Sequence, residues 1–210
     1  MLIKKGAEAN LFLEDWHDQK VIIKRRLPKS YRIPQLDLEI RSSRTAYESQ
    51  LLHDAKLAGV PTPTIFMVDL TNTTIVMQYV QGVQVKQVLA DSAEPDRVKL
   101  CKQIGEMVGR LHRRGIVHGD LTTSNMILTP SGKIYFIDFG LGGRIESLEA
   151  RGVDLHLMKR ALLSTHYRIA KKCFEAVMRG YSERTSKKEA AEVMKRIQEI
   201  ERRGRYIATR

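Results

Sequence analysis

Two acceptor-bearing side chains, Asp120 and Asn125, stand five positions apart in the segment IVHGDLTTSNMIL, between two short apolar runs. A tight turn would more often use Gly, Pro or an Asn-Gly pair at such a place. A third acceptor, Asp138, follows Asn125 by thirteen positions and ends the second strand of a predicted hairpin. Because so short a hairpin brings its ends together, we predict that Asn125 and Asp138 bind one Mg²⁺, which takes few protein oxygens and keeps water and phosphate. Asp120 would accept a proton from a hydroxyl group or orient a water molecule.

The order of these residues is itself a pattern. His-Gly-Asp, four further residues, an asparagine, and then Asp-Phe-Gly is the order found in protein kinases, with Gly119 where arginine is usual. Each piece alone is a weak signal, but together they indicate phosphoryl transfer. We assign supporting roles to His118 and Asp154. The Asp154 carboxylate is expected to cap its own helix or to bind the backbone of the turn around Asp120.

The N-terminal third should supply a lysine for the phosphates. Lys24 follows the apolar run VII, at the place where a kinase directs an ammonium group at the α- and β-phosphates. Its expected partner is Glu48, on the next predicted helix, whereas the rival Glu39 precedes the clear helical pattern. The alternative interpretation is a surface ion pair, and exposed pairs stabilise proteins by only ~0–1 kcal/mol.

Two further segments are predicted to contact a nucleotide. The stretch KKGAEANLF has one glycine where a glycine-rich loop would cover the phosphates. The residues expected to bind phosphate there are Gly6, Ala7, Glu8 and Ala9. In IVMQYVQG, the backbone from Gln78 to Val80 is expected to hold an adenine edge. Met77 would close the back of that pocket, or would simply be a core methionine.

Hydrophobic periodicity indicates which elements position these residues. The first third is rich in β-branched runs with one helix, and the pattern becomes helical after Gly82. We therefore predict an α+β, protein-kinase-like two-lobed fold, with a small strand-rich N-lobe (1–81) and a reduced helical C-lobe (82–210). The predicted strands are 10–16, 21–25, 63–69, 73–80, NMILT and KIYFID, and the predicted helices are Ser43–Leu57, 94–115 and three segments from Val153 onward.

Charge and cysteine content narrow the class of protein further. The chain carries 36 basic and 24 acidic residues, a net charge of +12, which favours polyanionic partners such as nucleic acid or nucleotide phosphates. Cys101 and Cys173 match no metal-ligand spacing and are expected to be small buried hydrophobes. No run reaches the length of a signal peptide core or a membrane span, so we expect a cytoplasmic protein with no membrane partner.

Basic residues also cluster in two segments, KRRLPKSYR and the last 27 residues, which hold nine basic and four acidic side chains. Most charge runs are solvated faces. The alternative hypothesis is a tail that contacts nucleic acid or reaches toward the cleft, with Tyr206 as a stacking ring. The tail residues assigned to this role are Arg202, Arg203, Arg205 and Tyr206.

Seven motifs together resemble a known family across essentially the whole chain: KKGAEA, VIIKRR, YRIPQLD, RTAYE, HGDLTTSN, DFGL and RRGRY. This set resembles the small kinase-like subunit of the KEOPS complex, in an archaeal form not fused to its threonylcarbamoyl-transferase partner. The resemblance implies an atypical serine/threonine kinase or ATPase, with ATP and Mg²⁺ as cofactors, that supports threonylcarbamoylation of adenosine 37 in tRNA. It implies Asp120 as the acid/base, Asn125 and Asp138 as metal ligands, and Lys24 with Glu48 at the phosphates. The implied partners are the transferase, the other KEOPS subunits and tRNA.

The stretch between Gly140 and Asp154 is short and contains no Ala-Pro-Glu, so most of the segment that grips a peptide acceptor in kinases is missing. We therefore expect ATP hydrolysis to matter more than protein phosphorylation. Three alternatives stay open: a RIO-type kinase of ribosome assembly, a small-molecule phosphotransferase, and a catalytically silent RNA-binding scaffold.

Overall fold

The computed structural model describes the backbone of residues 1–207 and the side chains of residues 1–203. The strands are β1 Leu2–Lys5, β2 Ala9–Trp16, β3 Gln19–Arg26, β4 Ile65–Asp69, β5 Thr74–Gln78, β6 Val83–Gln84, β7 Ile116–Val117, β8 Met126–Leu128, β9 Ile134–Phe136 and β10 Gly143–Arg144. The helices are α1 Pro34–Leu57, α2 Val85–Asp91, α3 Glu94–Arg113, α4 Leu148–Thr165, α5 Ala170–Arg184 and α6 Lys187–Ile207. A strand-rich N-terminal region is thus followed by a helical one, and the predicted α+β kinase-like fold is confirmed.

The N-terminal region is a five-stranded antiparallel sheet in the order β1-β2-β3-β5-β4. Between β2 and β3 the chain turns through His17 and Asp18, both with positive φ (49° and 60°), and Trp16 pairs with Gln19. Two central residues with positive φ are the type I′ hairpin geometry that matches the twist of the strands. The in-register pairing of β2 with β3 then runs the full length of both strands. Near the end of β3, Lys24 contacts Asp138, which follows β9 in the other part of the chain.

Helix α1 begins at Pro34, nine residues before the predicted start at Ser43, so that boundary was wrong. The early part of the helix lacks an apolar stripe, because Leu36 and Leu38 are exposed while Asp37 is buried. The buried Asp37 carboxylate is held by Arg41 Nε at 2.7 Å and by Arg32. Ion pairing replaces apolar burial there, and a search for hydrophobic periodicity does not detect it.

The helical region is organised by a close contact between α3 and α5. A Cβ atom at Gly105 of α3 would lie 1.9 Å from the carbonyl oxygen of Val177, and one at Gly180 of α5 would lie 1.9 Å from that of Lys102. Glycine is therefore required at both positions for the two backbones to approach. Cys101 and Cys173 are both buried in this region, in agreement with the sequence prediction.

Two other helices differ from the prediction. Helix α2 was not predicted, and α4 begins at Leu148 rather than Val153. The earlier start of α4 follows from an N-cap, since Ser147 Oγ accepts a hydrogen bond from the Ala150 amide at 3.1 Å. Among the described residues, no helix is long and apolar enough to cross a membrane.

The short hairpin β8-β9 joins the two regions. Met126 pairs with Phe136, and β6 pairs with β8 on the other side. The Phe136 amide also donates a hydrogen bond at 2.8 Å to the carbonyl oxygen of Pro61, which lies in the connection after α1. The residues at the two ends of the hairpin, Asn125 and Ile137, line one cavity together with Lys24 and Met77 of the N-terminal sheet.

Candidate active site

A cleft lies between the sheet and the helical region, and it contains two adjoining cavities. The inner cavity has a volume of about 380 Å³ and is mainly apolar, with Ile22, Met77, Val80, Ile127 and Ile137 among its lining residues. Gln78 and Tyr79 also line it, so the connecting segment predicted to hold adenine borders an apolar slot.

The outer cavity, of about 270 Å³, is lined by charged side chains of both signs. Its lining includes Lys24, Arg26, Asp120, Asp138 and the loop from Gly6 to Ala9. Lys24 and Asp138 line both cavities. An apolar slot beside a chamber that contains buried cations and carboxylates suits a nucleotide, with its flat base at one end and its phosphates and metal ion at the other.

Lys24 is at the centre of an ion cluster in which Glu48 is buried and the side chain of Asp138 is 43% exposed. Its Nζ donates hydrogen bonds to Glu48 Oε1 at 2.5 Å and to Asp138 Oδ1 at 2.6 Å. Lys24 is 7% exposed and Glu48 is 1% exposed, so the surface ion-pair interpretation does not apply. Glu39, the rival partner, has an exposed side chain.

The cluster shifts the pKa values of its members. Burial alone would lower the pKa of Lys24, but the carboxylates of Glu48 and Asp138 outweigh burial and raise it. Burial alone would raise the pKa of Asp138, but the Lys24 ammonium group and the Gly140 amide lower it. At neutral pH the cleft therefore presents a charged ammonium group and a charged carboxylate.

Arg26 was not predicted from the sequence as part of the site. Its Nη2 donates a hydrogen bond to Glu48 Oε2 at 2.6 Å, and the residue is only 4% exposed. The available signal was strand alternation, because residues two apart on β3 project from the same face.

Asp120 and Asn125 lie together in the HGD turn, by which we mean residues 118–125. Asn125 Nδ2 donates to Asp120 Oδ2 at 2.8 Å and to the Asp120 carbonyl oxygen at 3.0 Å. Both amide hydrogens are used in this way, and the Asn125 Oδ1 oxygen remains as its acceptor. Asp120 lines the outer cavity and Asn125 the inner one.

Asp154 holds the HGD turn from behind. Its carboxylate accepts hydrogen bonds from the backbone amides of His118 at 2.8 Å and Gly119 at 2.9 Å, and from His112 Nε2 at 3.2 Å. His112 in turn bonds the hydroxyl of Tyr181 at 3.1 Å, a connection the sequence did not reveal. Burial would raise the pKa of Asp154, but hydrogen bonds from His112 and from the His118 amide lower it, so this buried carboxylate stays ionised.

His118 connects the HGD turn to the strand before Asp138. Its Nδ1 accepts from the Asp120 amide at 3.3 Å, which leaves Nε2 as the donor to the Ile137 carbonyl oxygen at 3.2 Å. Burial lowers the pKa of His118, so the ring is neutral at pH 7. Its ring also packs 4.4 Å from that of Phe139, between centroids.

Gly119 occupies the position of the usual kinase arginine for a steric reason. Its φ is +78°, and a Cβ atom would lie 1.9 Å from the Leu141 carbonyl oxygen. No side chain fits there while the turn packs on the segment after Asp138. Asp138 itself has φ of 63°, an unusual backbone for a non-glycine residue that aspartate tolerates better than most.

The donor set fits magnesium better than a transition metal. Within the described residues, no three His, Cys, Asp or Glu side chains form a metal-binding group. Asp138 can supply a carboxylate and Asn125 an amide oxygen to a hard cation that keeps waters and phosphates as its other ligands. The residues present therefore fit Mg²⁺ accompanied by a phosphate compound.

The N-terminal loop, residues 6–9, covers the outer cavity. The Gly6 amide donates to the Ala9 carbonyl oxygen at 3.0 Å, and a Cβ atom at Gly6 would lie 2.7 Å from that oxygen. Lys29 Nζ bonds the Ala7 carbonyl oxygen, and Glu8 pairs with Arg44 of α1 at 2.7 Å. A single glycine suffices because these side chains hold the loop in place.

The basic C-terminal segment is helical as far as it is described. Helix α6 packs on α4, and Arg203 pairs with Glu149 at 2.9 Å. Arg202 is exposed. The side chains of Arg205 and Tyr206 lie outside the described residues. The described part of the segment lies against α4 and not in the cleft.

Comparison with known proteins shows which family this chain belongs to. The family model for the RIO domain matches residues 18–142. The chain is 48% identical to the KEOPS complex subunit Bud32 of Pyrococcus abyssi, over 98% of this chain and 96% of that protein. Probable bifunctional tRNA threonylcarbamoyladenosine biosynthesis proteins of Methanothermobacter thermautotrophicus and Methanocaldococcus jannaschii are 45% and 42% identical, each over 98% of this chain. The alignment covers only 36% and 37% of those two longer proteins.

Proposed function

Since this chain belongs to the RIO-domain family and, within it, to the family of the KEOPS complex subunit Bud32, we propose that it is an Mg-ATP-dependent kinase-like ATPase. Its hydrolysis of ATP would support the synthesis of threonylcarbamoyladenosine at position 37 of tRNA. The observation that carries the proposal is the convergence of Lys24, Asn125 and Asp138 with Asp120 on one cleft, which has an apolar slot at its inner end.

Each residue of the cleft has a distinct role in this proposal. The Lys24 ammonium group, held by Glu48, binds the α- and β-phosphates, while Asn125 Oδ1 and Asp138 hold the metal. When bound, Mg²⁺ would neutralise the phosphate oxygens and fix their orientation. The 2.6 Å Lys24–Asp138 contact keeps both groups beside the site where the phosphates would lie.

Asp120 would act on the nucleophile. Its Oδ2 accepts a hydrogen bond from Asn125, which fixes the rotamer of the carboxylate. The other oxygen is then available to accept the proton of a hydroxyl group or to orient a water. The Gly119 amide just before Asp120 is held by Asp154, and the amide of Asp120 itself is held by His118 Nδ1.

Water is the favoured acceptor. The segment from Leu141 to Ser147 contains β10, which pairs with β7, and it passes directly into α4. So little chain remains free that it provides no extended platform for a peptide substrate. We therefore propose hydrolysis of ATP as the main reaction and serine or threonine phosphorylation as a secondary one.

The adenine base is assigned to the inner cavity. Backbone groups between Gln78 and Val80 would hold its edge, and Met77 would close the back of the slot. The loop from Gly6 to Ala9 would cover the phosphates. This arrangement divides the chain into the proposed lobes 1–81 and 82–210, with the nucleotide between them.

Partners and location follow from the relatives and from the charge. Proteins named as bifunctional in tRNA threonylcarbamoyladenosine biosynthesis include a region like this chain within a longer sequence. We propose that this chain works with a threonylcarbamoyl-transferase subunit, other KEOPS subunits and tRNA, in the cytoplasm. The net charge of +12 suits a tRNA partner.

The C-terminal segment is the proposed tRNA contact. Arg202, Arg203, Arg205 and Tyr206 would touch the tRNA, with Tyr206 as a stacking ring. Deletion of residues 202–210 should weaken tRNA binding and flatten its salt dependence. Unchanged tRNA binding together with unchanged tRNA-stimulated ATPase would exclude this role.

The test of the main proposal is ATP turnover with Mg²⁺ in the wild type, Asp120→Ala and Asp138→Ala, each with and without tRNA and the transferase partner. We expect both substitutions to abolish turnover, and partner plus tRNA to stimulate the wild type. Turnover that is indifferent to both substitutions would contradict the assignment and would favour an RNA-binding scaffold.

The RIO-domain match supports a second candidate, a RIO-type kinase acting in ribosome assembly. The same assay separates the two. Stimulation by pre-ribosomal particles, and not by tRNA with the transferase, would favour this alternative.

A further inference from the structure

The residue of greatest further interest is Arg26. It lies two positions after Lys24 on β3, so the two side chains project from the same face of the strand. Arg26 is 4% exposed and Lys24 is 7% exposed. Two cations are therefore buried side by side at the inner wall of the outer cavity.

Glu48 is shared between these two cations. Its Oε1 accepts from Lys24 Nζ at 2.5 Å and its Oε2 accepts from Arg26 Nη2 at 2.6 Å. Each carboxylate oxygen is therefore committed to a different partner. A lysine–glutamate pair needs only one such contact, and the second fixes the rotation of the carboxylate as well as its position.

Arg26 lowers the stability of the protein compared with an apolar residue at this position. Among the described residues its Nε has no hydrogen-bond partner, although the atom is buried. A buried donor without a partner costs stability, and an apolar side chain of similar volume would avoid that cost. Buried polar atoms are normally hydrogen-bonded, and a residue that departs from this rule beside a candidate site is more readily explained by function than by packing.

The turn after Asp138 rests on the same group. A Cβ atom at Gly140 would lie 3.2 Å from Arg26 Nη2, 3.2 Å from Asp138 Oδ1 and 3.4 Å from Glu48 Oε2. Glycine at this position therefore lets the segment close over the cluster. Arg26, Glu48, Lys24 and Asp138 form one contiguous unit.

We propose that Arg26 is a positioning residue. Its guanidinium group fixes Glu48, which lies on α1, so that the Lys24 ammonium group points at the phosphates and α1 does not have to move first to form the Lys24–Glu48 pair. Arginine suits this role because its guanidinium group stays charged at every physiological pH. The inference rests on the proposed ATP site, and it adds to that site a mechanism for keeping the lysine–glutamate pair permanently formed.

The test uses Arg26→Met with Arg25→Met as its matched control, because Arg25 is the neighbouring arginine on β3 and is exposed. Affinities of the full chain for MgATP, MgADP and adenosine are measured by calorimetry. We expect Arg26→Met to weaken MgATP and MgADP equally, by about tenfold, since a hydrogen bond to a charged group is lost. Adenosine affinity should not change, and Arg25→Met should resemble the wild type.

A second variant separates positioning from direct phosphate binding. If Arg26 acts through Glu48, then Arg26→Met should add little to the loss already caused by Glu48→Gln. Fully additive losses would mean that Arg26 contacts phosphate itself, and would overturn the inference. Loss of adenosine affinity, or no loss of MgATP affinity, would overturn it as well.

A readout without nucleotide distinguishes this inference from the function it rests on. Acetylation of Lys24 by an amine-reactive ester, followed by mass spectrometry, reports how firmly Lys24 is held. Arg26→Met should accelerate Lys24 acetylation, and Arg25→Met should not. If the wild type bound no MgATP while this difference persisted, the proposed function would fail and the positioning role would stand. An unchanged acetylation rate would refute the positioning role directly.

Discussion

Replacement of Asp154 by alanine tests how the HGD turn is held. The carboxylate is 1% exposed and accepts hydrogen bonds from the His118 and Gly119 amides and from His112. Alanine would leave two backbone amides without an acceptor, and a buried unsatisfied donor costs roughly 1–3 kcal/mol. We therefore expect Asp154→Ala to lower the free energy of unfolding by about 4 kcal/mol. For a chain of this size, that corresponds to a fall in Tm of roughly 10 °C.

The assay is urea denaturation followed by circular dichroism, combined with ATP turnover at a temperature where the variant is fully folded. The control is Asp91→Ala, which removes an exposed carboxylate at the end of α2 and should change stability by less than ~0.5 kcal/mol. In the folded Asp154 variant, turnover should fall because the backbone that carries Asp120 is no longer fixed. If Asp154→Ala unfolded at the same urea concentration as Asp91→Ala, Asp154 would not be the anchor of the turn.

Three further outcomes are expected. The pKa of Asp154 is lowered in the folded state, so the ionised carboxylate stabilises the protein fully above its unfolded pKa, near pH 4. This stabilisation is lost as the pH falls through the folded pKa. The difference between the urea midpoints of the wild type and Asp154→Ala should therefore narrow below about pH 4. Gly119→Ala should destabilise the protein far more than Gly132→Ala, although both positions have φ of +78°. A Cβ at Gly119 meets the Leu141 carbonyl oxygen, whereas within the described chain a Cβ at Gly132 meets open space, so only the ~1–2 kcal/mol backbone cost applies to Gly132. Equal losses of stability in thermal unfolding would contradict this steric argument. Arg203→Ala should change the free energy of unfolding by no more than ~1 kcal/mol, because the ion pair of Arg203 with Glu149 is exposed. The variant should therefore stay folded, and a loss of tRNA binding in a filter assay would report a lost contact with tRNA and not unfolding.

The polar residues of the cleft could be predicted from the sequence where they belong to short motifs of neighbouring residues. Asp120, Asn125 and Asp138 stand at fixed separations around one hairpin, and a hairpin brings its own ends together. Lys24 followed from a β-branched run, and Glu48 from its place on an amphipathic part of α1. The structure brings the side chains of Lys24, Glu48 and Asp138 into direct contact.

The features that the sequence missed depend on contacts between distant segments. Tyr181 reaches His112 across 69 positions, and no spacing rule connects them. Arg26 was not separated from the basic run KRRLPKSYR, although strand alternation puts it on the same face as Lys24 and only burial distinguishes it from Arg25. The early start of α1 was missed for a related reason, since Asp37 is buried through ion pairs where apolar periodicity is absent.

These contacts explain how a chain with so short a segment between Gly140 and α4 keeps its cleft assembled. In a protein kinase, the conserved arginine beside the catalytic aspartate offers a charge that a phosphorylated activation loop can engage. Here Gly119 removes that charge, and the Leu141 carbonyl oxygen fills the space. The two sides of the cleft are instead fixed by buried groups that need no modification, Arg26 behind Glu48 and Asp154 behind the HGD turn. Within the described residues, both sides of the cleft are thus held without a modified side chain, so the proposed turnover of ATP should not require phosphorylation of this chain.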